Sequence, residues 1–273
     1  MLGGIIGDIT GSFLESRNNQ LRSMNLTTDI IFSENFGPTD DSVLLAATGA
    51  AMLDDSDDFA LYYRKFAELF PNAGYGPGFG LWLKGDSQEY QSFGNGAASR
   101  VGVLGYLDDE ADVLHMARKS AEVSHKHEEG IDGAEAIAWC VWAIRNQISR
   151  EEICKEIYQR WNYYVEHNSH DLWMLHREDW NFDCSAVNTV PLAIYIALFH
   201  AHNYESSVRT AMFVGGDVDT IGCMAGMLKS QQFTIPMEWE RRAKQKLWLT
   251  APKLLDVVER FEARYEGYPL FTF

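Results

Sequence analysis

The stretch Gly215-Gly216-Asp217-Val218-Asp219-Thr220-Ile221-Gly222-Cys223-Met224-Ala225-Gly226-Met227-Leu228 opens on two glycines and two spaced acids, then turns small and apolar. It reads as a helix whose first turn lies inside a core. Far upstream, Thr39-Asp40-Asp41-Ser42 runs into Val43-Leu44-Leu45-Ala46-Ala47 and repeats the pattern. Ionised carboxylates in such surroundings cost several kcal/mol unless cations or donors compensate them.

Helix capping is one compensation, because Thr and Asp are preferred caps and the N–H groups of a helix start favour anions. Capping accounts for one aspartate per helix, whereas each helix here offers two. The other candidate is Mg²⁺ or Mn²⁺, hard ions that take carboxylate, hydroxyl and water oxygens in preference to imidazole or thiolate. Two such ions about 3.5–4 Å apart are a recurring hydrolytic arrangement. Spacing alone leaves both readings open, and capping is the more ordinary one for either cluster by itself.

Working outward, apolar residues recur at helical spacing almost everywhere, as in Phe59, Tyr62, Tyr63, Phe66 and Leu69, and again in Val190, Ile194, Ala197 and Leu198. Strand-like alternation is hard to find. The pattern predicts an all-α globule of roughly ten or more helices, with Ala111–Val123, Gly133–Arg145, Arg150–Tyr164 and Glu238–Ala263 the best defined. Connectors such as 72–78 and 93–96 are rich in Gly but form no low-complexity linker, so one domain over residues 1–273 is expected. The acidic run Asp54-Asp55-Ser56-Asp57-Asp58 lacks the Gly and terminal Glu of an EF-hand loop and reads as a solvated cap before a helix.

Composition narrows the function. A formal net charge of −16 argues against general nucleic-acid or anionic-membrane binding, which rests on Lys and Arg meeting phosphates. Cys140, Cys154, Cys184 and Cys223 are widely separated, with no C-x-x-C among them, which fits a reduced cytoplasmic setting. No apolar run approaches the ~18 residues of a membrane span, and the start Met1-Leu2-Gly3-Gly4-Ile5 lacks a basic leader. A soluble cytoplasmic monomer is expected.

Three further segments carry chemistry-bearing residues. In Gly7-Asp8-Ile9-Thr10-Gly11-Ser12-Phe13-Leu14-Glu15, glycines allow close backbone approach. Asp8 reads as an internal hydrogen-bond acceptor, and Glu15 as a carboxylate at a helix end, able to serve as acid or base if it faces a cavity. Ser92-Phe93-Gly94-Asn95-Gly96 leads into the helix-like Ala97-Ala98-Ser99-Arg100, so backbone N–H groups there could cradle a phosphate while Phe93 stacks on a base. Ser124-His125-Lys126-His127-Glu128-Glu129-Gly130 gathers histidines and acids without zinc-ligand spacing. The other histidines, His167, His170, His176, His200 and His202, show no ligand pattern.

Taken in order, Gly7-Asp8-x-x-Gly11-Ser12-x-x-Glu15, Thr39-Asp40-Asp41-Ser42, Gly94-Asn95-Gly96-Ala97-Ala98-x-Arg100-Val101, Ser124-His125 with Glu129-Gly130, Asn188-Thr189-Val190-Pro191 and Gly215-Gly216-Asp217-x-Asp219-Thr220 resemble the ADP-ribosylglycohydrolase family. The resemblance runs from Leu2 to about Pro236. It implies a single compact, orthogonal multi-helix all-α domain with two Mg²⁺ or Mn²⁺ ions at the base of a cleft. By position, it makes Thr39, Asp40, Asp41, Asp217, Asp219 and Thr220 metal ligands and gives Glu15, Asp40 and Asp219 the catalytic roles. Ser92, Phe93, Gly94, Asn95 and Gly96 match the loop that holds the diphosphate and adenine, and His125 matches a residue near the distal ribose.

The reaction so implied is hydrolysis of an N- or O-glycosidic bond between ADP-ribose and an acceptor on a protein side chain or small molecule. Departures lie on the substrate side: Ala97 and Ser99 replace the usual Ser and Met, Glu128 stands for a Pro, and Ser185-Ala186-Val187-Asn188 stands where Ser-Cys-Gln-Gly is frequent. Two rivals remain at this level: a non-catalytic ADP-ribose binder, and a two-metal phosphohydrolase acting on a nucleotide sugar.

Overall fold

The computed structural model describes residues 1–15, 27–85, 91–165 and 182–267. Among these, fourteen α-helices form and no strand. They are α1 (Leu2–Gly11), α2 (Thr28–Ile31), α3 (Asp40–Leu53), α4 (Phe59–Leu69), α5 (Pro77–Leu83), α6 (Gly96–Arg100) and α7 (Glu110–Glu122). There follow α8 (Glu128–Arg145), α9 (Arg150–Trp161), α10 (Ala186–Tyr195), α11 (Tyr204–Val214), α12 (Val218–Lys229), α13 (Met237–Thr250) and α14 (Pro252–Phe261). The all-α expectation holds. Among the described residues, extended backbone pairs only at isolated antiparallel bridges, Gln91 with His125 and Gly94 with Ser185, which stitch residues 91–95 to two other segments.

Helices α1 and α12 form the centre. Every residue of both is buried, as their uniformly small and apolar sequences require. They run together at a spacing only glycine permits: a Cβ on Gly7 would lie 1.9 Å from the Gly222 carbonyl oxygen, and one on Gly11 would lie 2.4 Å from Asp219 Cα. That backbone-to-backbone crossing brings Asp8 of α1 beside the acidic start of α12. Around the pair, one hydrophobic cluster extends from Met1 to Phe261.

Helix boundaries show where local signals win. Asp109 caps α7, its carboxylate accepting from Ala111 N at 2.8 Å, and Asp58 caps α4 by accepting from Leu61 N at 3.1 Å, so the acidic run ends as the expected solvated cap. Helix α8 starts at Glu128 rather than near Gly133, because His127 takes the cap position, its Nδ1 accepting from Glu129 N at 3.3 Å, and Glu128 and Glu129 complement the helix dipole. Helix α9 stops at Trp161 rather than Tyr164, where Asn162 turns left-handed with φ 57°.

The predicted Glu238–Ala263 helix is two helices. Pro252 has no N–H to continue the ladder and forces the preceding residue out of the helical region, and Ala251 takes φ −150°, ψ 58°. No helix of the described residues is long and apolar enough to cross a membrane. No disulfide joins the four cysteines; Cys184 is exposed and the other three are buried.

Candidate functional site

Three chain segments deliver carboxylates to one floor. Helix α1 brings Asp8 and, just past its end, Glu15; the start of α3 brings Asp40 and Asp41; the start of α12 brings Asp217 and Asp219. Carboxylate oxygens of Asp8, Asp41 and Asp219 lie within 4.8 Å of one another, as do those of Glu15, Asp217 and Asp219. Asp219 belongs to both groups. Asp40 belongs to neither, although it lines the cleft above them.

Capping does not account for these acids. Asp217 occupies the N-cap position of α12 with no side-chain cap bond. At α3 the cap is Thr39, whose Oγ1 accepts from Asp41 N at a long 3.4 Å. The aspartates are held instead by donors from across the fold. Asp8, fully buried, accepts from Thr39 N at 2.9 Å, Thr39 Oγ1 at 2.6 Å, Ser42 N at 3.1 Å and the Ser42 hydroxyl. Asp41 accepts from the Ser99 hydroxyl and from Thr220 Oγ1 at 2.8 Å. Asn95 Nδ2 donates to Asp217 at 2.8 Å, and Thr220 N donates to Asp219 at 2.9 Å.

Electrostatics shows what these donors leave unmet. Burial is the leading cause that raises each of Asp8, Glu15, Asp41 and Asp219 above the ordinary carboxylate range, and neighbouring acids raise Glu15, Asp41 and Asp219 further. Burial and the Asp8 charge push Asp40 up to about 7. The donor set is all oxygen, buried and crowded with like charge, which is what a hard divalent cation neutralises and what zinc or copper would not select. Because Thr39 and Thr220 give their protons to Asp8 and Asp41, their hydroxyl oxygens present lone pairs rather than hydrogens to such an ion. The residues fit Mg²⁺ or Mn²⁺.

Above the floor opens a cleft of about 420 Å³, lined by all six expected ligand residues together with Glu15, Ser92, Gly94, Asn95, Gly96 and His125. Phe93 stands apart: it is 53% exposed and meets the His127 ring edge-on at 6.1 Å. Two N–H groups expected to face a phosphate are used within the protein, Gly94 N by Ser92 Oγ at 3.1 Å and Asn95 N by the Cys184 carbonyl at 2.9 Å. His200 lies against Tyr195 outside the cleft lining, and His167, His170 and His176 fall outside the described residues.

Sequence reasoning missed two things. Asp8 was read as an acceptor, which it is, but it also completes a carboxylate triad, and its place in Gly7-Asp8-x-x-Gly11 was the available signal. The lining by Tyr75, Phe79, Phe182 and Cys184 had no signal, since it joins two segments distant in sequence, of which the glycine-rich connector holding Tyr75 is tied to the floor by Asp40 N donating to the Ala73 carbonyl at 2.8 Å.

An all-helical protein with a cleft floored by carboxylates from three helix termini is thereby defined. The family profile described as ADP-ribosylglycohydrolase matches residues 1–267, and the chain belongs to that family. Over 194 residues it is 25% identical to "ADP-ribosylhydrolase ARH3" of Gallus gallus, an alignment covering 55% of this chain and 53% of that protein. Over 167 residues it is 28% identical to an uncharacterized protein of Archaeoglobus fulgidus, covering 56% and 54% respectively. The chain thus spans about half the length of these curated relatives. A solved structure titled "ADP-ribosylglycohydrolase-related protein complex" superposes with a TM-score of 0.69 over 96% of this chain and 95% of that one, at 19% identity, a likeness of fold.

Proposed function

We propose that this protein is a hydrolase dependent on two Mg²⁺ or Mn²⁺ ions that cleaves the glycosidic bond between ADP-ribose and an acceptor, a protein side chain or a small molecule. The observation that carries this reading is the meeting of Asp41, Asp217, Asp219 and Glu15 at the floor of one cleft, with Asp8 buried beside Asp41 and Asp219. Asp41, Asp217 and Asp219, with Asp8 and the Thr39 and Thr220 hydroxyls, would hold the ions, and Asp40 would join them from the cleft side. Bound there, divalent ions supply positive charge that fixes hydroxyl-bearing sugar and favours oxyanion character.

The chain's own groups supply the rest. Glu15, raised by burial and by Asp217, is suited to carry a proton at the point where the acceptor leaves or water enters. Asn95 joins the floor to the loop above by its bond to Asp217, so Ser92, Gly94 and Gly96 keep a fixed height over the carboxylates. The single hydrophobic cluster supports reading residues 1–273 as one domain. We take the acting unit to be a monomer with no general affinity for nucleic acid, consistent with its acidity.

Incubation with arginine- and serine-linked ADP-ribosyl peptides, with Mn²⁺ or Mg²⁺ and with EDTA, tests the proposal. Intact ADP-ribose released only with metal is the expected result. Equal release in EDTA removes the metal mechanism, and AMP as the product replaces the glycosidase reading with a phosphohydrolase.

A further inference from the structure

A second cavity, of about 620 Å³, opens where α1 begins and α12 ends, with Met1, Tyr106, Arg145, Gln231, Glu262 and Glu266 in its lining. Among the described residues it shares none with the cleft. Helix α1 runs 10 residues from this cavity toward the carboxylate floor, ~15 Å at the helical rise, so a small molecule here stays clear of the carboxylates.

Arg145, the last residue of α8, lays its guanidinium 3.7 Å over the ring of the buried Tyr106. Stacking uses the face of the guanidinium and leaves the N–H fork at its edge. No hydrogen bond or ion pair among the described residues takes up that fork. The other charges at and beside the cavity pair with each other. The Met1 ammonium meets Glu266 Oε1 at 3.0 Å, where the Tyr106 hydroxyl also donates at 2.8 Å. Lys244 donates to Glu240 Oε1 and to Glu262 Oε2, each at 2.9 Å. Burial raises Glu266, but the Met1 ammonium, the Tyr106 hydroxyl and Arg145 outweigh it and hold the carboxyl below its ordinary range. Three carboxylates thus stand against three cations, and of these Arg145 alone has no ion-pair partner among the described residues.

This charge balance selects a ligand. A dianion such as phosphate would meet Glu240, Glu262 and Glu266 as like charges, and a simple cation would meet Arg145 as one. A net-neutral molecule with a carboxylate at one end and an ammonium at the other satisfies the fork bidentately and leaves the balance intact. Each glutamate spends one oxygen on its internal bonds and keeps the second to accept. A cation at the end of α8 also suits the helix dipole, but that role needs charge alone, whereas a planar fork stacked above a cavity is the arrangement that recognises a carboxylate. We propose that this cavity is a binding site, separate from the cleft, for a small zwitterion whose carboxylate is held by Arg145 and whose ammonium is held by the glutamates. The proposal is independent of the glycohydrolase reading.

The test is NMR on the full ¹⁵N-labelled chain without added metal, titrated with 6-aminohexanoate and, separately, with hexanoate and hexylammonium, which carry its two charges one at a time. Arg145 Nε, assigned by its loss in Arg145→Lys, and the backbone amides of residues 231–234 report on the cavity. The zwitterion is expected to shift all of them and to bind at least about fivefold more tightly than either half. Arg145→Lys keeps the charge but loses the fork, and the amides of 231–234 should then report binding weakened about tenfold. Absence of any shift up to ~50 mM 6-aminohexanoate overturns the proposal. So does equal affinity for hexanoate or hexylammonium, or unchanged affinity in Arg145→Lys. Should that variant fail to fold, the Arg145 Nε shift and the ranking of the three probes in the parent decide the matter.

Discussion

Asp219→Asn is expected to lower turnover on an ADP-ribosylated substrate by at least about 10³-fold, ~4 kcal/mol of barrier, without destabilising the metal-free protein. Asp219 is the one carboxylate shared by both groups on the floor, so its removal weakens two ion positions together. Asparagine is the informative replacement. Its side-chain oxygen still accepts from Thr220 N, as Asp219 does at 2.9 Å, so the start of α12 keeps its geometry while a negative charge is lost. In the metal-free protein that charge is a liability, since Asp217, Asp41, Glu15 and Asp8 all bear on it in a buried site.

Opposite signs in two measurements therefore identify a ligand. The metal-free variant should melt at or above the temperature of the metal-free parent, because repulsion is relieved. With Mn²⁺ at about a hundred times its dissociation constant, the parent gains ~2.7 kcal/mol, roughly 5–10 °C in Tm, and the variant gains little of it. A variant that kept parental kcat, or that kept the full Mn²⁺-dependent rise in Tm, would show that Asp219 does not hold the ion. A variant that lost activity and also melted lower without metal would point to a packing role.

How much of this was legible in the chain differs by residue. Asp40, Asp41, Asp217 and Asp219 were readable because acids at the start of small, apolar helices are an energetic anomaly visible without coordinates. The same anomaly was present at Asp8, but a lone acid inside an apolar helix has an ordinary explanation as an internal acceptor, and its four donors from Thr39 and Ser42 are real. Only the crossing of α1 with α12 shows that it also faces Asp41 and Asp219. Gly7 and Gly11 were readable as positions of close approach, whereas Gly222 as the counterpart of Gly7 was not, since pairing of helices distant in sequence leaves no local trace.

The aromatic residues Tyr75, Phe79 and Phe182 were illegible as a group for a related reason: they come from a connector, the short helix α5 and a distant segment, which only the fold brings to one cleft. Phe93 shows how a loop residue's surroundings escape the sequence. An aromatic beside a glycine turn suggests stacking on a base, but the backbone of residues 93–95 is turned by the Phe93 carbonyl accepting from Ala186 N at 3.0 Å and Asn95 N donating to the Cys184 carbonyl. Its exposed ring meets His127 edge-on.

Gly7→Ala is expected to be the most damaging alanine substitution among the described glycines, costing about 3 kcal/mol or more and lowering Tm by roughly 6–12 °C. The added Cβ would lie 1.9 Å from the Gly222 oxygen, 2.3 Å from its carbonyl carbon and 2.9 Å from Cys223 N. All three are backbone atoms of a buried helix, so no side chain can swing away, and α1 must separate from α12. That separation acts on function as well as stability, because α1 carries Asp8 and leads to Glu15 while α12 carries Asp219 and follows Asp217. Metal affinity should fall along with Tm, and added Mn²⁺ should recover less than the parent's full gain. Gly80→Ala supplies the control: Gly80 lies within α5 with nothing within 4 Å of the new methyl, and the same substitution there should raise stability by about 0.4–1 kcal/mol by restricting the unfolded chain. Equal effects at the two positions, measured by denaturant melts, would mean that the α1–α12 contact is looser than its backbone distances require and that the carboxylate floor does not depend on it.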